Sequence, residues 1–263
     1  MAARVLRLAA VALSAVTLSA AAASAQVPAQ QAADEQLVRA AIAAGSFEAL
    51  KGHLPALREV LDRAPARFPA VEVRGERTIV RADDQDSAMI LALVVSAATK
   101  DRKTTVVTEF NTYPDAALLL ATYANEMKRP EEALAYLERG LALQPDDGNL
   151  VSEKAAALGA LRRPAEELAL ADAWLARNPL GGARNRARLM RDKGFALTEL
   201  GRLDEAEAAY RASLKEEPGH KGALYELDYI AKQRAGGAKL GGALVTADKA
   251  KTEGYVAPDA PKP

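Results

Sequence analysis

The stretch that decides the fold is GRLDEAEAAYRASLKEEPGH, residues 201–220. It reads as one helix with small residues on one face, ended by Pro218. Proline lacks the next helical donor and disfavours helix in the residue before it. The same frame occurs twice upstream, as RPEEALAYLERGLALQP (129–145) and RPAEELALADAWLARNP (163–179). An offset of 34 places Arg129, Pro130 and Pro145 onto Arg163, Pro164 and Pro179. The third copy, from Arg202, lies 39 beyond the second. The extra residues fall in PLGGARNR, whose glycine pair suits a loop insertion.

Each copy follows another helical segment: DAALLLATYANEM (115–127), GNLVSEKAAALGAL (148–161) and RNRARLMRDKGFALTEL (184–200). Small residues fall where the two helices of a pair must touch: Ala121, Ala155 and Gly194 in the first, Ala133 and Ala206 in the second. Leu141, Leu175 and Leu214 are expected to fill the seam to the next pair. After Pro218, HKGALYELDYIAKQRAGG carries a stripe of Leu224, Leu227 and Ile230 and suits a cap over the last open face, with Gly236 as its stop.

The order helix, turn, helix, proline resembles the tetratricopeptide repeat family over residues 114–236. The third pair matches best, through Gly194, Leu197, Gly201, Ala206, Tyr210, Leu214 and Pro218. The middle pair departs from it, with Glu167 and Trp174 where small residues are usual, and Trp174 is expected to plug the core. The resemblance implies an all-α solenoid of helical hairpins, three repeats plus a capping helix over 113–236. It also implies a mostly non-catalytic module that presents a groove to a protein or peptide.

The chain begins MAARVLRLAAVALSAVTLSAAAASAQ. Arg4 and Arg7, an apolar stretch from Leu8 to Ala22 and the small-x-small site Ala23-Ser24-Ala25 are the layout of a signal peptide cleaved after Ala25. Residues 26–33 read as a linker. Residues 34–112 read as a helical region with a small β element. Gly45 and Ser46 are a helix stop and cap, and Pro55 starts a turn or kinks a helix. AVEVRGERTIVRAD suits a hairpin around Arg74-Gly75. DSAMILALVVSAATK (86–100) should be a buried apolar helix, and KTTVVTEF (103–110) is strand-like. The Gly-, Ala-, Lys- and Pro-rich residues 237–263 read as a loosely held tail.

Composition narrows the chemistry. Lys and Arg balance Asp and Glu at 35 each, so no global field draws nucleic acid. There is no cysteine, which removes disulfides, thiolate metal sites and a lipid-bearing cysteine. Of two histidines, His220 suits a helix cap and His53 lies in an amphipathic helix. Ordinary zinc sites need three or four ligands. No hydrolase, zinc-protease or phosphate-loop motif occurs. No cofactor, no metal and no enzymatic activity are expected.

What remains is an interaction surface. Laid on the family's groove-lining turns, the third pair contributes Arg188, Arg191, Phe195 and Thr198. The cap contributes Tyr225, Tyr229 and Lys232. Cations beside aromatics suit a peptide with an acidic residue or a free carboxylate. The bland alternatives are a solvated basic face for Arg184, Arg188 and Arg191, and tyrosines that only pack the cap. The expectation is an exported, periplasmic adaptor with no membrane span after signal removal. The alternatives are a self-assembling component of a cell-envelope complex and an enzyme with its chemistry in 34–112.

Overall fold

The computed structural model describes residues 28–82, 85–99, 105–178 and 181–235. The signal-peptide stretch, Gly236 and the tail lie outside them. The described residues form two compact units. One takes residues up to 127 together with 135–150, the other 128–134 with those from 151 onward.

The first unit opens with α1 (Ala29–Ala43), α2 (Phe47–Lys51) and α3 (Leu54–Asp62). Helix α1 begins inside the stretch expected to be a linker. The reason is its buried stripe, which starts at Gln31 and Asp34 and continues through Val38 and Ala41. Gly45 takes a left-handed φ of 70°, and Ser46 caps α2 by accepting from the Ala49 N–H. Pro55 lies in the first turn of α3, a position that needs no donor. All three helices pack on α5 (Thr112–Glu126), with Leu57, Val60 and Leu120 in the core.

The expected hairpin is present as β1 (Val71–Arg74) and β2 (Arg77–Val80), turning at Gly75. A third strand, β3 (Thr105–Thr108), pairs with β2 in parallel, giving the order β1-β2-β3. Parallel neighbours need a crossover, and α4 (Gln85–Thr99) supplies it by packing on β2 and β3. Arg81 is fully buried at the sheet end. It donates to Glu72 (2.8 Å), Glu109 (2.7 Å) and the Pro69 carbonyl (3.0 Å), and stacks 4.0 Å over the Phe68 ring. The expectation that α4 is buried throughout is corrected. Val95 is covered, but Met89, Ile90 and Leu93 are exposed. A three-stranded sheet covers one side of a helix.

The repeat region follows the expected plan. Helix α5 leads into α6 (Pro130–Leu143), then come α7 (Gly148–Ala160) and α8 (Pro164–Arg177), α9 (Ala183–Glu199) and α10 (Leu203–Glu216), and the cap α11 (Lys221–Arg234). The second helices bury matching stripes: Ala133, Leu137 and Gly140; Glu167, Ala171 and Trp174; Ala206, Tyr210 and Ser213. These run i, i+4, i+7. Leu141, Leu175 and Leu214 sit one residue past the stripe and are half-buried, and Leu214 packs against the cluster that α10 shares with α9 and α11. Trp174 is the expected core plug: it is buried, and a Cβ on Gly181 would come within 2.6 Å of its ring.

Each hairpin turns through a left-handed residue at the same place: Lys128 (φ 58°), Arg162 (φ 56°) and Gly201 (φ 73°). Only glycine adopts that conformation without steric cost. Lys128→Gly removes a left-handed cost of about 1–2 kcal/mol against glycine's entropic cost of about 0.5–1 kcal/mol, and a small net gain in stability is expected, measured by urea unfolding. A loss would mean that the lysine side chain contributes more than its backbone costs.

Candidate functional site

Within the second unit α9 packs against α8, α10 and α11, so the residues expected to line a groove stand on two neighbouring helices, α9 and α11. Their surroundings differ from a bare basic face. The Arg188 Nη2 donates to Glu153 Oε1 at 2.5 Å, and the Arg191 Nη1 to Glu217 Oε2 at 2.7 Å. Arg188 is half-buried, yet Glu153 and Asp192 hold its pKa above the ordinary value against the opposing effect of desolvation, the largest single influence. Arg186 pairs with Glu216, and Arg184 is exposed.

Phe195 is a correction. It is 6% exposed, and its ring lies under Gly159, where an added Cβ would come within 3.3 Å. Phe195 lies on the same side of α9 as Arg188, seven residues on, and α7 covers that side, supplying both Glu153 to Arg188 and Gly159 to the Phe195 ring. Thr198 is half-buried and donates to the Gly194 carbonyl at 2.9 Å. Tyr225 and Tyr229 are half-buried, and Tyr229 Oη accepts from Gln233 at 2.6 Å. Lys232 is exposed and pairs with Asp228 at 2.6 Å. His220 caps α11 as expected, its Nδ1 accepting from the Ala223 N–H at 3.3 Å.

The acids are what sequence reasoning missed. Asp192 is buried and accepts from Ser152 Oγ at 2.7 Å, and burial pushes its pKa up to about 6. Glu226, buried in α11, is pushed up to about 7 by desolvation and by Glu199. Glu167 is fully buried and neither carboxyl oxygen has a partner. Burial, then Asp192 and Glu199, push it up to about 9. A signal was present for two of them: Asp192 stands four residues from Arg188 on the same helix, and Glu167 occupies a small-residue position. Among the described residues no group of His, Asp and Glu is placed to hold a metal ion, and no helix is long and apolar enough to cross a membrane.

Paired helices that repeat one buried stripe, capped by a last helix, define a helical-hairpin repeat protein. Residues 114–147 and 188–220 match the family profile described as tetratricopeptide repeat; the chain carries tetratricopeptide repeats, in the α5–α6 and α9–α10 hairpins. The first tetratricopeptide domain of human RPAP3 is 25% identical, over 47% of this chain and 95% of that one, with a TM-score of 0.42. The first such domain of Spaghetti (RPAP3), bound to an HSP90 peptide, is 24% identical, over 45% and 93%, with a TM-score of 0.40. MamA from AMB-1 is 16% identical, over 78% and 83%, with a TM-score of 0.45. A comparison of the sequence with curated proteins finds no match.

Proposed function

We propose that this chain is an exported, periplasmic adaptor that binds a peptide segment of a partner protein along α9 and α11. The reading rests on one observation above all: a matched repeat hairpin and its cap bring Arg188, Arg191, Tyr225 and Tyr229 onto adjacent helices. The tyrosines supply amphipathic contact area, the type enriched in binding hot spots. Arg191 is the recognition cation. The Arg191 side chain is 14% exposed and that of its partner Glu217 43%, so the carboxylate is the accessible member of the pair. A carboxylate on an incoming peptide takes the place of Glu217 and keeps the charge-assisted bond. Arg188 is more firmly held, because Glu153 is itself largely buried. Export rests on the N-terminal layout alone, and cleavage after Ala25 is checked by N-terminal sequencing of protein from an envelope fraction.

The test is capture of partners from an envelope extract, identified by mass spectrometry. Arg191→Glu and Tyr229→Ala are each expected to weaken the captured complex by about 1–3 kcal/mol, with melting temperatures close to the parent's. Equal capture by both variants would overturn the groove assignment. So would a Tyr229→Ala variant whose main defect is a lowered melting temperature.

A further inference from the structure

The first helices of the last two hairpins and the cap share a buried acid. Moving along by 39 and then 34 residues lays Leu150, Glu153 and Ala157 of α7 onto Leu189, Asp192 and Ala196 of α9, and those onto Ala223, Glu226 and Ile230 of α11. All of them are buried. A buried carboxyl group needs a partner, and the first two acids have one on a neighbouring helix. Glu153 accepts from Arg188 of α9. Asp192 accepts from Ser152 of α7, and Arg188 acts on it as well. Glu226 is different. It is 7% exposed and makes no hydrogen bond or ion pair among the described residues. Its place in the array says what is missing. Glu153 takes its cation from the next first helix, and no described helix follows α11.

The groups around Glu226 suit a cation. Burial, and then the charge of Glu199 on α9, push its pKa up to about 7. Tyr229 stands one turn further along α11 and is half-buried. Burial, then Glu226 and Glu199, raise the pKa of its hydroxyl. Tyr210 of α10 also feels Glu226, and burial holds its hydroxyl neutral. Unlike the oxygens of Glu167, those of Glu226 are not sealed from solvent. We infer that Glu226, with Glu199 and the Tyr229 ring, is a binding site for a basic side chain, an arginine or lysine of the bound peptide. A guanidinium or ammonium there replaces a repulsion between carboxylates by an attraction, and the ring adds a cation–π contact. Arg188 on Glu153 is the same contact made within the chain. The inference rests on the peptide-binding reading of α9 and α11 and deepens it: the peptide carries a carboxylate for Arg191 and a cation for Glu226.

The probe is N-acetyl-arginine amide, which carries a guanidinium and no carboxylate, with N-acetyl-citrulline amide as its neutral counterpart. Backbone amide NMR of the full chain at pH 8 is expected to show saturable shifts in α11 with the arginine probe. The expected dissociation constant is on the order of 1 mM. The citrulline probe is expected to leave the spectrum unchanged. Glu226→Gln keeps the shape and removes the charge, and is expected to weaken binding by about tenfold or more without lowering the melting temperature. The cation binds the ionised acid, so affinity follows the ionised fraction. With a pKa of about 7, that fraction, and the affinity with it, is expected to rise about tenfold from pH 6 to pH 8. This arm needs no variant. No saturable shift up to about 50 mM probe, an equal response to citrulline, an unweakened Glu226→Gln variant or an affinity level across pH 6–8 would each overturn the inference. Changing Lys239, Lys249, Lys251 and Lys262 together to glutamine is expected to leave the probe's affinity unchanged. A large gain would assign the site to the chain's own C-terminal lysines and overturn it too. The probe has no carboxylate for Arg191, so its failure leaves the acidic-peptide reading standing, and equal capture by Arg191→Glu leaves this site standing.

Discussion

Tyr210→Ala is expected to remove about 3–5 kcal/mol of folding stability, the usual cost of truncating a large buried aromatic. Tyr210 is 1% exposed. It packs in a cluster with Ala196, Leu197, Ala206, Ala209, Ala223 and Ile230, edged by Leu203, Leu214 and Leu227. These residues come from α9, α10 and α11, so one cavity would loosen three helices at once. The ring also explains Gly194. A Cβ there would lie 2.8–2.9 Å from three ring atoms, which no real contact sustains. Gly194→Val is expected to displace the ring and cost about 1–3 kcal/mol, as overpacked cores do. Leu214→Asp, at the half-buried edge, is expected to cost less than Tyr210→Ala. Urea unfolding followed by circular dichroism measures all three. The single tryptophan, Trp174, adds a probe in the middle hairpin. In a repeat array neighbouring units stabilise one another, so its fluorescence transition is expected to shift with the dichroism. If Tyr210→Ala unfolds at the parent's midpoint, the cluster is not the core of the last hairpin.

The hairpins were legible because their signal is a period. Proline-bounded helices recurring at 34 and 39 residues leave little freedom, and the matching buried stripes follow from helical geometry. Leu141, Leu175 and Leu214 align with one another in the same way, one residue past the stripe, and Leu214 packs at the edge of the last hairpin's core. Helix α4 was misread. A run apolar on every side carries no amphipathic phase, so its burial depends on what covers it, and that is a tertiary fact. Of the candidate site, only the helices that carry it were legible. Position along α9 and α11 chose Arg188, Arg191, Tyr225 and Tyr229, and the structure brings them onto neighbouring helices. The arginines' partners were not legible, because Glu153 lies in α7 and Glu217 at the end of α10, far from them in sequence. Phe195 was misread because α7 covers the side of α9 that Phe195 shares with Arg188, and which helix covers a face is settled only by packing.

Glu167→Gln is expected to stabilise the protein at neutral and alkaline pH, by up to roughly 3 kcal/mol at pH 7. The other hairpins have alanine at this place, Ala133 and Ala206, both fully buried. Here a carboxyl group is enclosed instead, with both oxygens unpartnered and Gly159 against it. Enclosure without a partner penalises the charged form, and Asp192 and Glu199 add repulsion. The folded-state pKa, about 9 against an ordinary 4.5, fixes the sign. The fold favours the protonated acid and the unfolded chain the ionised one. The contribution of Glu167 to stability is intact below about pH 4.5, falls as pH rises, and levels off above about pH 9. Glu226, at about 7, and Asp192, at about 6, act in the same direction over narrower windows. The parent is therefore expected to lose stability across pH 5–9, opposite to a protein held by carboxylate ion pairs. Glutamine keeps the shape and cannot ionise, so Glu167→Gln should flatten that slope and match the parent near pH 4. Glu167→Ala should flatten it as well, with an offset at every pH from the space it opens. Melting temperatures of the parent and both variants from pH 4 to 9 decide the matter. A parent whose stability is level or rising with pH, or a Glu167→Gln variant no more stable than the parent at pH 8, would show that the carboxylate finds solvent or a partner in the folded chain.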